Sequence, residues 1–333
     1  MNSVNRLDQS KLSGSTLEQV QKALYDHFSG VAVHLDGPIG IRPNSEIYRA
    51  HIDTFAPIEA AVKHCLVPGT RLPDQSAAKE QFLALERVHG ALAKRNTRYR
   101  VPTPLYFAPT LATFAMSWVD GESLTKKMRH PAVLIDGPGW FEDIGAWLGN
   151  FHSAGPTRRR LVNLNDRLGV AEELRTSPLP DKSFAKALLI LEKTTAPLEN
   201  LEVEVTWLHG DCKTDNFIIS KKCVYGIDIS LSCENPVEYD LAQFLNNLDL
   251  LLASPQSVLI RGARSRLEKA FWRGYSSTGP SVSHAYLNWL RLNFSLSFWH
   301  TMICGRKFSI RTWILNRIFA TLVARLSGKL TYS

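Results

Sequence analysis

Apolar and polar positions change rhythm partway along the chain. Near the start, Leu17, Val20, Leu24 and Phe28 recur at helical spacing behind Ser15 or Thr16 as a cap, which predicts a helix over about 15–28. Residues 31–66 break into short runs, among them EIYRAHI and EAAVKHCL, separated by turn residues and read as strands. A second helical stripe, Phe82, Leu85, Val88 and Leu92, spans 76–93. VPTPLYFAP and TLATFAMSWV read as two further strands before Asp120-Gly121 punctuates the chain.

Beyond that point helical spacing dominates. Phe141, Ile144, Leu148 and Phe151 share one stripe over 140–153, and 183–198, 238–252 and most of 265–330 also read as helices. The clear β feature of this half lies within 203–229. A chain of 333 residues exceeds one ordinary compact domain. The pattern therefore predicts an α+β chain of two lobes, strand-rich over 1–119 and mainly helical over 120–333, with a hinge near 117–121.

The segment 207–230, WLHGDCKTDNFIISKKCVYGIDIS, carries the chemistry. FIIS and CVYGI flank Lys221-Lys222 as a hairpin with a two-residue loop. In that register Ser220 faces Cys223 and Asn216 lies opposite Ile227. Asn216 and Asp228 then emerge at the same end of the hairpin, and Asp211 lies on the loop that feeds it. Two carboxylates and an amide oxygen are hard ligands of the kind Mg²⁺ takes alongside phosphate oxygens. A carboxylate there can also accept the proton of an attacking hydroxyl. These are the parts phosphoryl transfer needs.

Here the chain resembles the aminoglycoside phosphotransferase and choline kinase-like family, small-molecule kinases with a protein-kinase-like fold. His209-Gly210-Asp211 through Asn216 is similar to its catalytic loop H-G-D-x₄-N, and Ile227-Asp228 to its second metal-binding aspartate. Asp240, in EYDLAQFL, matches the aspartate that opens the next helix and braces the loop. Leu148 to Ser153 resembles the L-G-x-F-H helix, and Met116 to Gly121 the hinge strand. The likeness covers roughly 30–250 and is strongest over 145–153 and 205–245.

The resemblance implies ATP and Mg²⁺ as cofactors. It makes Asp211 the catalytic base and Asn216 and Asp228 the metal ligands. His209 is expected to shape the loop by hydrogen bonding, and Asp240 to act first as a helix cap. Lys213 either contacts the transferred phosphate or is an exposed loop lysine; Cys212 is expected to pack inward. In the first lobe Lys63 is the candidate phosphate-anchoring lysine, paired with Glu80, with Glu86 as rival. No G-x-G-x-x-G occurs. A short turn ending in Ser45 stands in its place, either offering a hydroxyl and N–H to the β-phosphate or serving as an ordinary turn. Backbone groups of Ser117 and Val119 would hold adenine.

Composition narrows the setting. Apolar residues at 44% and charged residues at 21% are globular values, which set disorder, collagen and coiled coil aside. No apolar stretch is long enough to span a membrane, and the polar start has no secretory pattern. The cysteines, 65, 212, 223, 233 and 304, are odd in number and form no C-x-x-C pair. A reduced, cytoplasmic setting is expected, with neither a disulfide framework nor a standard zinc site.

The net charge of +8 sits in the tail. From Lys269 onward there are nine Lys/Arg and no acidic residue, so the first 268 residues sum to −1. The tail 269–333 is also rich in aromatics. It offers no carboxylate to a polycationic aminoglycoside, leaving Glu234, Glu238 and Asp249 as acidic contacts, so antibiotic resistance is demoted. Two readings of the tail stay open: a positive field for an acidic or lipid-linked acceptor or an anionic membrane face, and core helices with solvated arginines. Arg158-Arg159-Arg160 reads as a solvated loop. No motif organises the basic and aromatic residues for nucleic acid, and none is expected as a partner.

The expectation is thus an ATP- and Mg²⁺-dependent phosphotransferase acting on a hydroxyl of a sugar, amino alcohol or lipid-linked acceptor. A nucleotide-binding pseudokinase or membrane-associated scaffold is the alternative. A protein kinase is the weaker one, since D-F-G, A-P-E and an activation loop between Asp228 and Asp240 are missing.

Overall fold

The fold was analysed in a computed structural model that describes residues 14–95, 98–130, 137–164, 182–221, 223–231, 234–253, 262–303 and 309–331. The chain is mixed α+β and separates into two compact units. One takes the chain up to Lys94 and Val101–Asp120; the other takes Arg95–Arg100 and everything from Gly121 on.

The first unit is built on a five-stranded antiparallel sheet. Helix α1 (Gly14–His27) is followed by β1 (Val33–Arg42), β2 (Ser45–Ile52) and β3 (Ile58–Cys65). Helix α2 (Gln75–Ala93) comes next; the two-residue β4 (Tyr99–Arg100) belongs to the second unit, and β5 (Pro104–Ala108) and β6 (Thr113–Ser117) complete the sheet in the order β1-β2-β3-β6-β5. Strand alternation sorts side chains onto two faces. Tyr48, Ala50, Ala60 and Val62 occupy one, packed with Val20 and Leu24 of α1. Lys63 pairs across strands with Phe114, so the two share the other face. Phe82 of α2 lies against Phe114 and Phe107, with ring centroids 6.0 and 5.2 Å away. Helix α2 therefore covers the Lys63 face. Asp74 caps it, accepting from Ala77 N–H at 2.9 Å.

The second unit holds β7 (Glu122–Ser123), the short α3 (Leu124–Lys127), α4 (Pro138–Ala154), β8 (Arg158–Leu161) and α5 (Lys182–Lys193). They are followed by β9 (Glu202–Trp207), β10 (Phe217–Ile219), β11 (Val224–Gly226), β12 (Glu234–Pro236) and α6 (Glu238–Leu251). The expected long helical tail resolves into α7 (Ala263–Thr278), α8 (His284–Ile303) and α9 (Ile310–Thr331). Arg158–Leu161, expected as a solvated loop, is instead an exposed strand antiparallel to β9. Helices α4 and α7 touch backbone to backbone: a Cβ on Gly274 would overlap the Glu142 carbonyl, so only glycine permits the approach. Gly226 makes similar room for the Trp147 ring, which lies edge-on to Phe217 at 5.3 Å. These contacts seat the β10–β11 hairpin on α4. No helix among the described residues is long and apolar enough to cross a membrane.

Candidate active site

The loop between β9 and β10 is held from below by one face of α6. Asp240, Gln243 and Asn247 recur at helical spacing, and each accepts backbone N–H groups of the loop. Asp240 takes His209 N–H at 2.6 Å and Gly210 N–H at 3.1 Å. Gln243 takes Cys212 N–H and Asn247 takes Thr214 N–H, both at 3.0 Å. Asp240 is therefore no helix cap. Val237 occupies the cap position, and the Asp240 carboxylate is spent on the loop. His152 of α4 completes its shell, Nε2 to Oδ2 at 3.1 Å, while its Nδ1 meets the Tyr275 hydroxyl at 3.0 Å. The set is satisfied when Nε2–H donates to Asp240 and Tyr275 donates to Nδ1. Gln243, Asn247, His152 and Tyr275 escaped the sequence reading as functional residues. Their trace in the sequence is an acid and two amides at helical spacing, positions 240, 243 and 247, on a helix that also carries Glu238, Asn246 and Asp249.

His209 does not act as expected. Its ring is fully buried near Trp147, Phe217 and Phe151, at centroid distances of 6.0, 5.9 and 6.4 Å. Neither ring nitrogen has a hydrogen-bond partner among the described residues, and burial lowers its pKa. The residue holds the loop through its backbone, whose N–H Asp240 accepts and whose carbonyl accepts Ser230 N–H, while its ring only packs. Cys212 is buried, as its neighbours suggested, and burial pushes its thiol well above the usual range. It is a poor nucleophile.

At the mouth of the loop, Asp211 keeps 51% of its side chain exposed. Lys213 Nζ stands 2.5 Å from its Oδ2. Asn216 donates Nδ2–H to the Asp211 carbonyl at 2.8 Å and to Oδ2 at 3.0 Å. The hairpin has the register read from sequence: Phe217 faces Gly226, Ile227 N–H bonds the Asn216 carbonyl, and Ser220 N–H bonds Cys223. Asp228 follows at once, in the left-handed region with φ of 59°. Asn216 is buried, and its Oδ1 has no hydrogen-bond partner among the described residues. An orphaned buried acceptor costs about 1–3 kcal/mol, which a cation at that oxygen would offset. No group of three or more His, Cys, Asp or Glu able to hold a metal occurs among the described residues. Two carboxylates and an amide oxygen suit a hard cation that retains several waters, and Mg²⁺ fits that set.

In the first unit, Lys63 is 7% exposed on the sheet face that α2 covers. Glu80 is exposed on α2 and accepts from the Ser76 hydroxyl at 3.2 Å; Glu86 is also exposed. The turn between β1 and β2 is Pro43-Asn44, so Ser45 is not a turn residue as expected. It opens β2 between Arg42 and Cys65, 2% exposed, on the same face as Lys63. Ser117 N–H is spent on Thr103 at 2.8 Å and Trp118 N–H on Glu59 at 2.8 Å. Val119 lies just past the end of β6, outside any strand.

A cavity of about 350 Å³ opens beside Asp211 and Lys213, lined also by α6, α8 and α9. The basic tail contributes less field there than its sequence suggests. Asp249 is buried against Arg264 at 3.1 Å, Arg291 at 2.6 Å and Arg325. Glu268 pairs with Arg291 and Lys329, and Glu142 with Arg273. Glu238 is buried too, accepting Ser283 N–H at 2.8 Å. Asp249 and Glu238 are thus internal groups, unsuited to meeting a polycation; the Glu234 side chain lies outside the described residues.

The chain belongs to the phosphotransferase enzyme family, whose model matches residues 70–284. A search of curated proteins finds no match. Among solved structures it is similar to a choline/ethanolamine kinase family protein from Mesorhizobium loti, at 12% identity over 96% of this chain and 100% of that one, TM-score 0.58. A glucosamine kinase solved with glucosamine, ADP and inorganic phosphate shares 14% identity over 90% and 83%, TM-score 0.60. An amicoumacin kinase solved with AMP-PNP and Ca²⁺ shares 11% over 95% and 96%, TM-score 0.56. The fold is that of protein-kinase-like small-molecule kinases.

Proposed function

We propose that the protein transfers the γ-phosphate of ATP to a hydroxyl of a small molecule. The observation that carries the reading is the Asp211–Asn216 pair, joined at 3.0 Å beside the orphaned Asn216 Oδ1 and the hairpin that delivers Asp228. Asp211 orients the acceptor hydroxyl and takes its proton as the oxygen bonds to phosphorus and ADP leaves. Asn216 Oδ1 and Asp228 would hold Mg²⁺, which when bound neutralises phosphate charge. Lys213 keeps Asp211 in place and stands ready to contact the transferred group. Lys63, with Glu80, is assigned to the α- and β-phosphates, and Ser45 to the phosphate turn by its place on the Lys63 face. The Ser117 carbonyl and Val119 N–H are assigned to adenine. Positioning and charge neutralisation supply most of the rate. ATP as donor places the reaction with the cytoplasmic nucleotide pool.

Thermal unfolding with Mg-ATP tests the scheme. Ligand at about 100 times Kd adds roughly 2.7 kcal/mol, enough to raise Tm by several degrees. Wild type and Asp211→Asn should both shift, Asp228→Ala should not, and Asp211→Asn should transfer no phosphate. Near-normal turnover by Asp211→Asn would sink the role given to that carboxylate.

A further inference from the structure

The cavity beside Asp211 limits what the acceptor can be. Its volume of about 350 Å³ is of small-molecule size. Phe294, Phe298 and Phe319 line it, together with Leu250 and Leu322. Among the described lining residues the charged groups are Asp211 and Lys213, which neutralise each other at 2.5 Å. The lining amides are committed in part: Gln243 and Asn247 give their oxygens to the loop, and Asn246 bonds Arg291 through both ends. Ser295 also lines the cavity, 3% exposed, its buried hydroxyl without a hydrogen-bond partner among the described residues.

A cationic acceptor finds no spare carboxylate among the described lining residues. Asp249 is already surrounded by guanidinium groups, and Lys213 puts an ammonium into the same space. Phenylalanine faces alone attract a cation weakly unless it is fully desolvated. Among the described lining residues, an anionic acceptor could pair only by drawing Lys213 off Asp211, leaving that carboxylate beside a like charge. An apolar body gains about 25 cal/mol for each Å² it buries against the rings. Resting on the kinase reading of Asp211, we infer that the acceptor is an uncharged alcohol with an apolar, ring-sized body. This class sets aside the polyhydroxylated sugars and the charged amino alcohols among the expected acceptors.

Three alcohols of matched size test it: para-isopropylbenzyl alcohol, para-(aminomethyl)benzyl alcohol and para-(hydroxymethyl)benzoate. With the full chain and saturating Mg-ATP, the uncharged probe should exceed each charged one by about tenfold or more in kcat/KM, because an unpaired charge is costly to desolvate. Phe298 is 49% exposed, so Phe298→Asp should fold, and it should shift the preference to the aminomethyl probe. A wild-type preference for either charged probe overturns the inference, as does an unchanged ranking in Phe298→Asp. Binding is read separately, by Tm with para-isopropylbenzyl alcohol and no nucleotide. Stabilisation lost in Phe298→Asp, but with no transfer to any probe, overturns the kinase reading and keeps the pocket's preference. Neither stabilisation nor transfer by the uncharged probe overturns the inference itself.

Discussion

Three buried carboxylates of the second unit have different neighbours. Asp240 receives two backbone N–H groups and an imidazole; Asp249 faces three guanidinium groups. Glu238 receives Ser283 N–H at Oε1, and its Oε2 has no partner among the described residues. Burial therefore pushes Glu238 up to about 7 from the ordinary 4.5. Its folded value lies above its unfolded one, so between pH 4.5 and 7 the unfolded chain sheds the proton first and stability falls as pH rises. At about 1.4 kcal/mol per pH unit the full loss is on the order of 3 kcal/mol. Glu238→Gln should remove that slope: its stability relative to wild type should improve from pH 5 to pH 8 in urea titrations, and parallel curves would refute the assignment. None of this was visible in the sequence, where Glu238 stood as a surface acid for a polycation. Asp211, Asn216 and Asp228, by contrast, were legible as a cluster because a two-residue hairpin sets its own register.

At the scale of elements, α6 is the splint of the loop. Its stripe of Asp240, Gln243 and Asn247 satisfies four consecutive-region N–H donors that the loop cannot pair within itself. Gln243→Ala strands the buried Cys212 N–H and should cost about 1–3 kcal/mol with a fall in kcat. Gln243→Glu retains an acceptor and should recover most of both, in thermal melts and turnover on the same preparations. If Glu proves as harmful as Ala, the bond to Cys212 is not what matters. The helices themselves were readable from apolar spacing. What their polar faces grip was not, because a hydrogen bond across 31 residues of sequence has no local signature.

For the whole molecule, the net charge of +8 overstates the positive surface. Arg291 is 1% exposed, and with Arg264 and Arg325 it surrounds Asp249, joining the tail helices to α6 and α7. Removing the shared acid leaves buried cations unpaired, so Asp249→Ala should lose about 3–5 kcal/mol in denaturant unfolding; a loss within about 0.5 kcal/mol, as at ordinary surface sites, would contradict the network. Sequence alone determined the α+β composition, the main helices and the register of the hairpin between Asn216 and Asp228, because periodicity and tight-turn register act over a few residues. Tertiary structure alone decided which charges are spent internally, that the His209 ring packs while its backbone makes the hydrogen bonds, that Ser45 opens a strand, and what lines the cavity beside Asp211. Those outcomes depend on contacts between residues tens to more than a hundred positions apart, where burial and partner geometry, not residue type, set the energy.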